Sequence, residues 1–183
     1  MTLRTARLVL RRARPDDLLA IHAIMSSPAA MQYWSRLPHE SLAVTEAWFP
    51  RSLMGEGNAD ADEWVIELSS RAVGYVGIWK PPEFGFILNP DVWGQGIGTE
   101  AVTAYLDHAF PHFDIAEITA DVDPRNTASL RLLEKLGFRV TGRAANTFKL
   151  GEVWADSVYL ALARADWIAN RRAAMARNGS NST

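Results

Sequence analysis

Apolar and polar positions along the chain mark out a regular series of elements. Leu8 to Arg12, in the run RLVLRRA, reads as a first strand with loose alternation. Pro15, Asp16 and Asp17 then resemble a helix start, with acidic groups at the positive end of the helix dipole. Leu18, Leu19, Ile21, Ile24 and Met25 follow at helical spacing and are expected to face a core, and Pro28 closes that stretch. A second helix is expected from about Leu42 to Leu53, with Pro50 as the point where it could break. Glu63 to Leu68 and Val73 to Trp79 read as two strands joined by a turn at Ser69, Ser70 and Arg71, and Glu83 to Leu88 as a third.

Helical spacing returns from Thr99 to Phe110, in Ala101, Val102, Tyr105, Leu106 and Phe110. Ile115 to Val122 reads as a strand. Thr127 to Leu136 reads as a helix with Gly137 as its C-terminal cap. Phe138 to Thr141 and Val153 to Ala163 supply the last strands, and Asp166 to Met175 a terminal helix. This order predicts an α/β (α+β) fold around one mixed, mostly antiparallel sheet. One domain is expected over residues 1–170, with 171–183 a polar, partly disordered tail. Gly55 to Glu63, GEGNADADE, reads as a flexible acidic loop.

Composition narrows the function classes. The 183 residues suit one well-buried domain, and a net charge of -2 gives no electrostatic case for nucleic acid. The absence of cysteine excludes disulfides, thiolate metal sites and cysteine nucleophiles. No apolar run reaches the ~20 residues of a membrane helix, and arginines interrupt the N-terminal apolar residues, so no signal peptide is read. A cytoplasmic protein is expected, as a monomer or homodimer, with neither membrane nor nucleic acid as partner. His22, His39, His108 and His112 show no metal-ligand spacing with carboxylates, and no metal is expected.

The candidate chemistry lies in WGQGIGTEA, Trp93 to Ala101, between a strand and a helix. Gly94, Gly96 and Gly98 permit unusual backbone angles and close ligand approach. The following helix start presents unpaired N–H groups to an anion, most naturally a phosphate or pyrophosphate. Gly98-Thr99 lacks the lysine of a Walker loop, and Thr99 stands where a dinucleotide fingerprint needs glycine. A ligand-free glycine turn is the bland alternative.

PEFGFILNPDVWGQGIGTEA, taken with NTASLRLLEKLGF at Asn126 to Phe138, resembles the GNAT family of N-acetyltransferases, and more narrowly its RimJ/RimL type. The likeness runs from about Arg7 to Trp167. It implies a splayed strand whose main chain at Phe86, Ile87 and Leu88 pairs with the pantetheine arm of acetyl-CoA. It also implies a pyrophosphate seat on N–H groups of Gln95, Gly96, Ile97, Gly98 and Thr99, with Asn126 at the cofactor. Asn126 doubles as an N-cap, and Trp93 is taken mainly as a packing residue. Many relatives carry a tyrosine acid where this chain has Leu133, so Ser129 is the substitute, against a merely local hydrogen bond.

The implied reaction moves the acetyl group to a primary amine, of a protein N-terminus or a small molecule, by direct attack in a ternary complex. Glu83, at the start of the splayed strand, is the preferred base; Asp121, Asp123 and Glu152 are lesser candidates. The acceptor wall is assigned to Tyr33, Trp34, His39 and Trp154, although aromatics so spaced are more often core. The alternative function is a catalytically weak acyl-CoA-binding sensor or regulatory module, which the missing tyrosine favours.

Overall fold

A computed structural model gives the architecture of the chain and describes residues 1–55 and 60–179. Eight strands form one sheet in the order β1-β2-β3-β4-β5-β6-β8-β7. They are β1 (Thr2–Arg4), β2 (Leu8–Arg11), β3 (Asp62–Leu68), β4 (Arg71–Lys80), β5 (Glu83–Leu88), β6 (Glu117–Val122), β7 (Arg139–Leu150) and β8 (Val153–Ala163). Every neighbouring pair is antiparallel except β5 with β6, which is parallel. The helices are α1 (Leu18–Met25), α2 (Pro28–Met31), α3 (Leu42–Leu53), α4 (Ile97–Phe113), α5 (Thr127–Lys135) and α6 (Arg164–Gly179). This is the single mixed, mostly antiparallel α/β domain that the sequence predicts. No described helix is long and apolar enough to cross a membrane.

Side-chain alternation along the strands builds a core on each face of the sheet. Val76, Phe84 and Leu88 turn to the face covered by α4 and α5, where they meet Ala101, Val102, Leu106 and Leu133. Tyr75 and Ile87 turn to the other face, against Ile21, Ile24, Met25, Phe49 and Leu53 of α1 and α3. Tyr105 bolts α4 to the sheet: its hydroxyl accepts from the Ile78 N–H at 2.8 Å and donates to the Asp62 carbonyl at 3.0 Å. Gly137, at φ +99°, ends α5 in the left-handed conformation expected of a C-terminal cap.

Several expectations change. Leu19 is 67% exposed, because the inner stripe of the short α1 is already filled by Ile21, Ile24 and Met25. The first helix is preceded by a 3-10 turn over Pro15–Asp17, and Asp17 serves a buried ion pair rather than a dipole. Both its oxygens accept from the Arg11 guanidinium at 2.7 Å, and Arg11 also reaches Glu67 at 2.5 Å. Pro28 closely follows the end of α1, as expected, and also opens the short helix α2. Pro50 does not break α3, which continues to Leu53. The terminal helix extends to Gly179, through most of the expected tail. Residues 56–59 of the acidic loop, and 180–183, lie outside the described residues.

The feature that positions the site is the junction of β5 and β6. They are in register only at Glu83 and Thr119, where the Thr119 N–H donates to the Pro82 carbonyl at 3.0 Å. Beyond that point β6 pairs with β8 along its whole length, while β5 stays with β4 as far as Leu88. The sheet therefore parts, and one edge of β5 is left open.

Candidate active site at the parted strands

The first side of the site begins with the main chain of β5. The Asn89 N–H donates to the Val73 carbonyl at 2.8 Å. Hydrogen-bonded and non-bonded pairs alternate along an antiparallel ladder, so Ile87 faces β4 while Phe86 and Leu88 direct their main-chain groups at the gap. The Leu88 carbonyl is taken by the Trp93 indole N–H at 3.1 Å. Trp93 is 50% exposed, so it acts as a latch on the strand end rather than as core packing. Ile87 buries its side chain among α1 and α3.

The glycine loop follows as a tied structure. Asn89 caps a 3-10 turn at Pro90–Val92, and the Gln95 side-chain amide donates to the Asp91 carbonyl at 2.9 Å. Gly94 and Gly96 lie at φ +72° and +76°, where a side chain is strained. Gly96 is the N-cap of α4, which starts at Ile97, two residues earlier than the apolar pattern suggests. The Glu100 N–H donates to the Gly96 carbonyl at 3.1 Å, leaving the N–H groups of Ile97, Gly98 and Thr99 without helix partners. Gly98 has a second role, since an added Cβ would lie 2.9 Å from Leu132 of α5.

Arg7, which sequence reasoning passed over as a site residue, pins this loop from β2's approach. Its guanidinium donates to the Gln95 carbonyl at 2.9 Å and to Glu100 at 2.7 Å, and its main-chain N–H reaches Glu100 at 2.9 Å. Burial opposes the charge on Glu100, but hydrogen bonds from Thr5 and Arg7 prevail and hold its carboxyl below the usual range.

On α5, the Asn126 side chain accepts from the Ser129 N–H at 3.1 Å, which is the capping role its position allows. Asn126, Ser129 and Leu133 all face a cavity of about 380 Å³. That cavity passes through the parted sheet. Phe84, Phe86, Ala120 and Val122 line it from the α4–α5 side, and Glu63, Tyr75, Glu83 and Asp121 from the α1–α3 side. A wider groove of about 1100 Å³ beside β1, α4 and Arg171 meets the site only at the start of α4.

Carboxyl groups dominate the second side, and each is tuned differently. Burial raises Glu83, and the nearby Asp121 adds to the rise, while a hydrogen bond from Trp79 opposes it. Burial also raises Asp121, although Ser157 donates to it at 2.9 Å. Asp123 goes the other way: hydrogen bonds from Arg125, at 2.6 to 3.2 Å, hold it ionised. Glu63, which no sequence motif marked, is pushed by burial up to about 8.

The acceptor residues expected from sequence divide. Tyr33 and Trp34 line the cavity, with the Trp34 ring 5.9 Å from Tyr75 and the Arg125 guanidinium 5.9 Å from the Tyr33 ring. His39 lies behind that wall, with Nδ1 at 2.9 Å from the Thr45 hydroxyl and its ring edge-on to Trp48 at 5.4 Å. Trp154 is 53% exposed on the β7–β8 hairpin and does not reach the cavity; Phe148 of that hairpin does. Glu152 pairs on the surface with Lys149. His108 and His112 come together with Asp62, their candidate ligand atoms within 4.8 Å of one another, an arrangement hidden in the sequence because Asp62 stands 46 residues from His108.

The arrangement offers a main-chain edge for an amide-bearing arm and carboxyls able to accept a proton on one cavity, and a helix start for a pyrophosphate where the loop after the same strand enters α4. Those features fit acetyl-CoA. A family model for an acetyltransferase (GNAT) domain matches residues 7–139. The chain is 21% identical over 169 residues to the spermidine N(1)-acetyltransferase of Escherichia coli K12, with 89% of each covered. It is 32% identical over 87 residues to the ribosomal protein uS5 alanine N-acetyltransferase of the same organism, covering 48% of this chain and 45% of that one. The fold matches the crystal structure of a Vibrio cholerae spermidine N-acetyltransferase in complex with CoA and spermine. The TM-score is 0.78 at 22% identity, over 90% of this chain and 99% of the other.

Proposed function

Because the chain belongs to the GNAT acetyltransferase family, and is on that ground an acetyl-CoA-dependent acyltransferase, we propose that it acetylates a primary amine within the parted sheet. The acceptor is a protein N-terminal amine or a small-molecule amine, and the finer placement we propose is the RimJ/RimL type. The enzyme is taken to work in the cytoplasm, as a monomer or homodimer. Relatives whose names specify spermidine or a ribosomal protein support an amine acceptor of either kind.

Acetyl-CoA supplies an activated thioester. In this reading the N–H groups from Gln95 to Thr99 hold its pyrophosphate, and the gap-facing main chain of Phe86 and Leu88 pairs with its amides. Asn126 and Ser129 face the same space from α5. The acceptor arrives as an ammonium ion and must lose a proton before it attacks. Glu83 takes that proton, directly or through water, and its raised pKa brings it nearer to the working pH than an ordinary carboxylate. As the C–S bond breaks, the Ser129 hydroxyl passes its proton to the departing sulfur and takes one, directly or through water, from the nitrogen that has formed the new amide.

One observation carries this reading: the cavity crosses the sheet where β5 leaves β6, so the open strand edge, Glu83 and Ser129 share one space. Glu83→Gln tests it. Turnover is expected to fall by about 10²- to 10⁴-fold with acetyl-CoA affinity nearly intact; unchanged turnover removes Glu83 from the mechanism. A second reading, an acyl-CoA-binding sensor, is favoured by Leu133, whose buried apolar side chain occupies the place of the usual tyrosine acid. Amine-dependent turnover would set it aside.

A further inference from the structure

Glu63 has no part in the mechanism above, yet its surroundings are unusual for a glutamate. Its carboxyl looks into the cavity and has no hydrogen-bond or ion-pair partner among the described residues. Glu83, Asp121 and Asp123 are each met by a donor from Trp79, Ser157 or Arg125. The side chain is half-buried, and the cost of desolvating a carboxyl that no donor meets drives it towards the neutral form.

The floor beside it is bare. Glu63 stands opposite Gly77, and Gly77 opposite Gly85, across three adjacent strands. A Cβ on Gly77 would strike the Asp62 carbonyl at 2.4 Å and the Glu63 side chain at 2.9 Å. A Cβ on Gly85 would meet nothing within 4 Å, so it would project into open space. Gly77 lets the β3 backbone come close and Gly85 leaves open space above it, and both line the cavity between Glu63 and Glu83, forming a shallow trough. Two strand spacings, roughly 10 Å, separate the backbones at its ends, and the Glu63 side chain covers part of that span.

We propose that Glu63 is a second acceptor-binding residue, which takes a cationic nitrogen of the acceptor other than the one acetylated, along the Gly77–Gly85 trough. The acceptor class is an amine with a second basic nitrogen a few methylenes from the first; this rests on the amine-transfer reading. The charged and titratable groups around Glu63 are Arg36 from the loop after α2, Arg51 of α3, Asp62 on its own strand, Tyr75 of β4, and Glu83 and Asp121 across the cavity. Arg36 favours the ionised carboxylate through space without pairing with it, and Asp62 disfavours it. Binding of the second ammonium makes Glu63 ionise, and its proton leaves to solvent.

The test is calorimetry of 1,4-diaminobutane and of 1-aminobutane on the CoA-loaded protein, wild type and Glu63→Gln, in two buffers of different ionisation enthalpy. Wild type is expected to prefer the diamine and to release a proton on binding it. Glu63→Gln is expected to weaken the diamine roughly tenfold or more, to abolish proton release, and to leave the monoamine and CoA unchanged. Gly85→Ala, which clashes with nothing, is expected to weaken the diamine while leaving the melting temperature intact. Equal diamine binding by wild type and Glu63→Gln, or no preference in wild type, overturns the assignment. Diamine binding as expected with no acetylation of any amine would instead overturn the transfer reading and leave Glu63 in place.

Discussion

The two sides of the cavity are built on opposite plans. On the donor side nearly every side chain is spoken for: Gln95 holds Asp91, Trp93 holds Leu88, and Arg7 with Thr5 holds Glu100 and the loop. What is left free there is main chain, on β5 and at the start of α4. On the proposed acceptor side the main chain is paired in the sheet, and the groups turned to the cavity are side chains, chiefly the raised carboxyls of Glu83, Asp121 and Glu63. A backbone site reads a fixed chemical skeleton and needs rigidity. A carboxyl-lined site reads charge.

If this division is right, changes on one side should leave the other side's readout alone. After Glu83→Gln, the largest expected effect is Ser129→Ala, with turnover down about 10²-fold and both binding constants nearly unchanged; a loss confined to acetyl-CoA affinity would reduce Ser129 to a donor-side contact. Gly96→Val forces a β-branched residue to φ +76°, at a cost of ~1–2 kcal/mol. It should lower the melting temperature and weaken acetyl-CoA about tenfold, while the acceptor KM stays put. Arg7→Ala removes a half-exposed clamp, so about 0.3–1 kcal/mol is expected, seen as a few-fold, salt-sensitive loss of acetyl-CoA affinity.

A separate effect concerns stability and pH. The folded pKa of Glu63 lies near 8, above that of a carboxyl in the unfolded chain. Its contribution is therefore fully present below the unfolded value and lost as pH rises through about 8. Relative to Glu63→Gln, the wild-type melting temperature should fall across that window; parallel curves would show that Glu63 is not held neutral.

The same division explains what the sequence could tell. Gly94, Gly96 and the start of α4 act through backbone angles and lie within a few consecutive residues, so local pattern exposes them. The β5–β6 parting follows from a strand that must pair with two partners, and only the family likeness pointed to it. The acceptor side draws Glu63, Glu83 and Asp121 from β3, β5 and β6, and nothing local links them. Tyr33 and His39 read alike as loop residues beside aromatics, yet one faces the cavity and the other turns to Thr45. Trp154 failed for a related reason: an aromatic on a hairpin can point to either face, and register decides which. The extension of β7 to Leu150 was also missed, because its bulged pairing between Ala144 and Phe148 breaks the alternation.

The claim that both sides serve one transfer is tested most directly by following free CoA and acetylated product together across a panel of amines and N-terminal peptides. CoA release that appears only with an amine, matches product one for one and collapses in Glu83→Gln is the expected result. A protein whose melting temperature rises with acetyl-CoA, but which releases no CoA beyond slow hydrolysis with any amine, would contradict it.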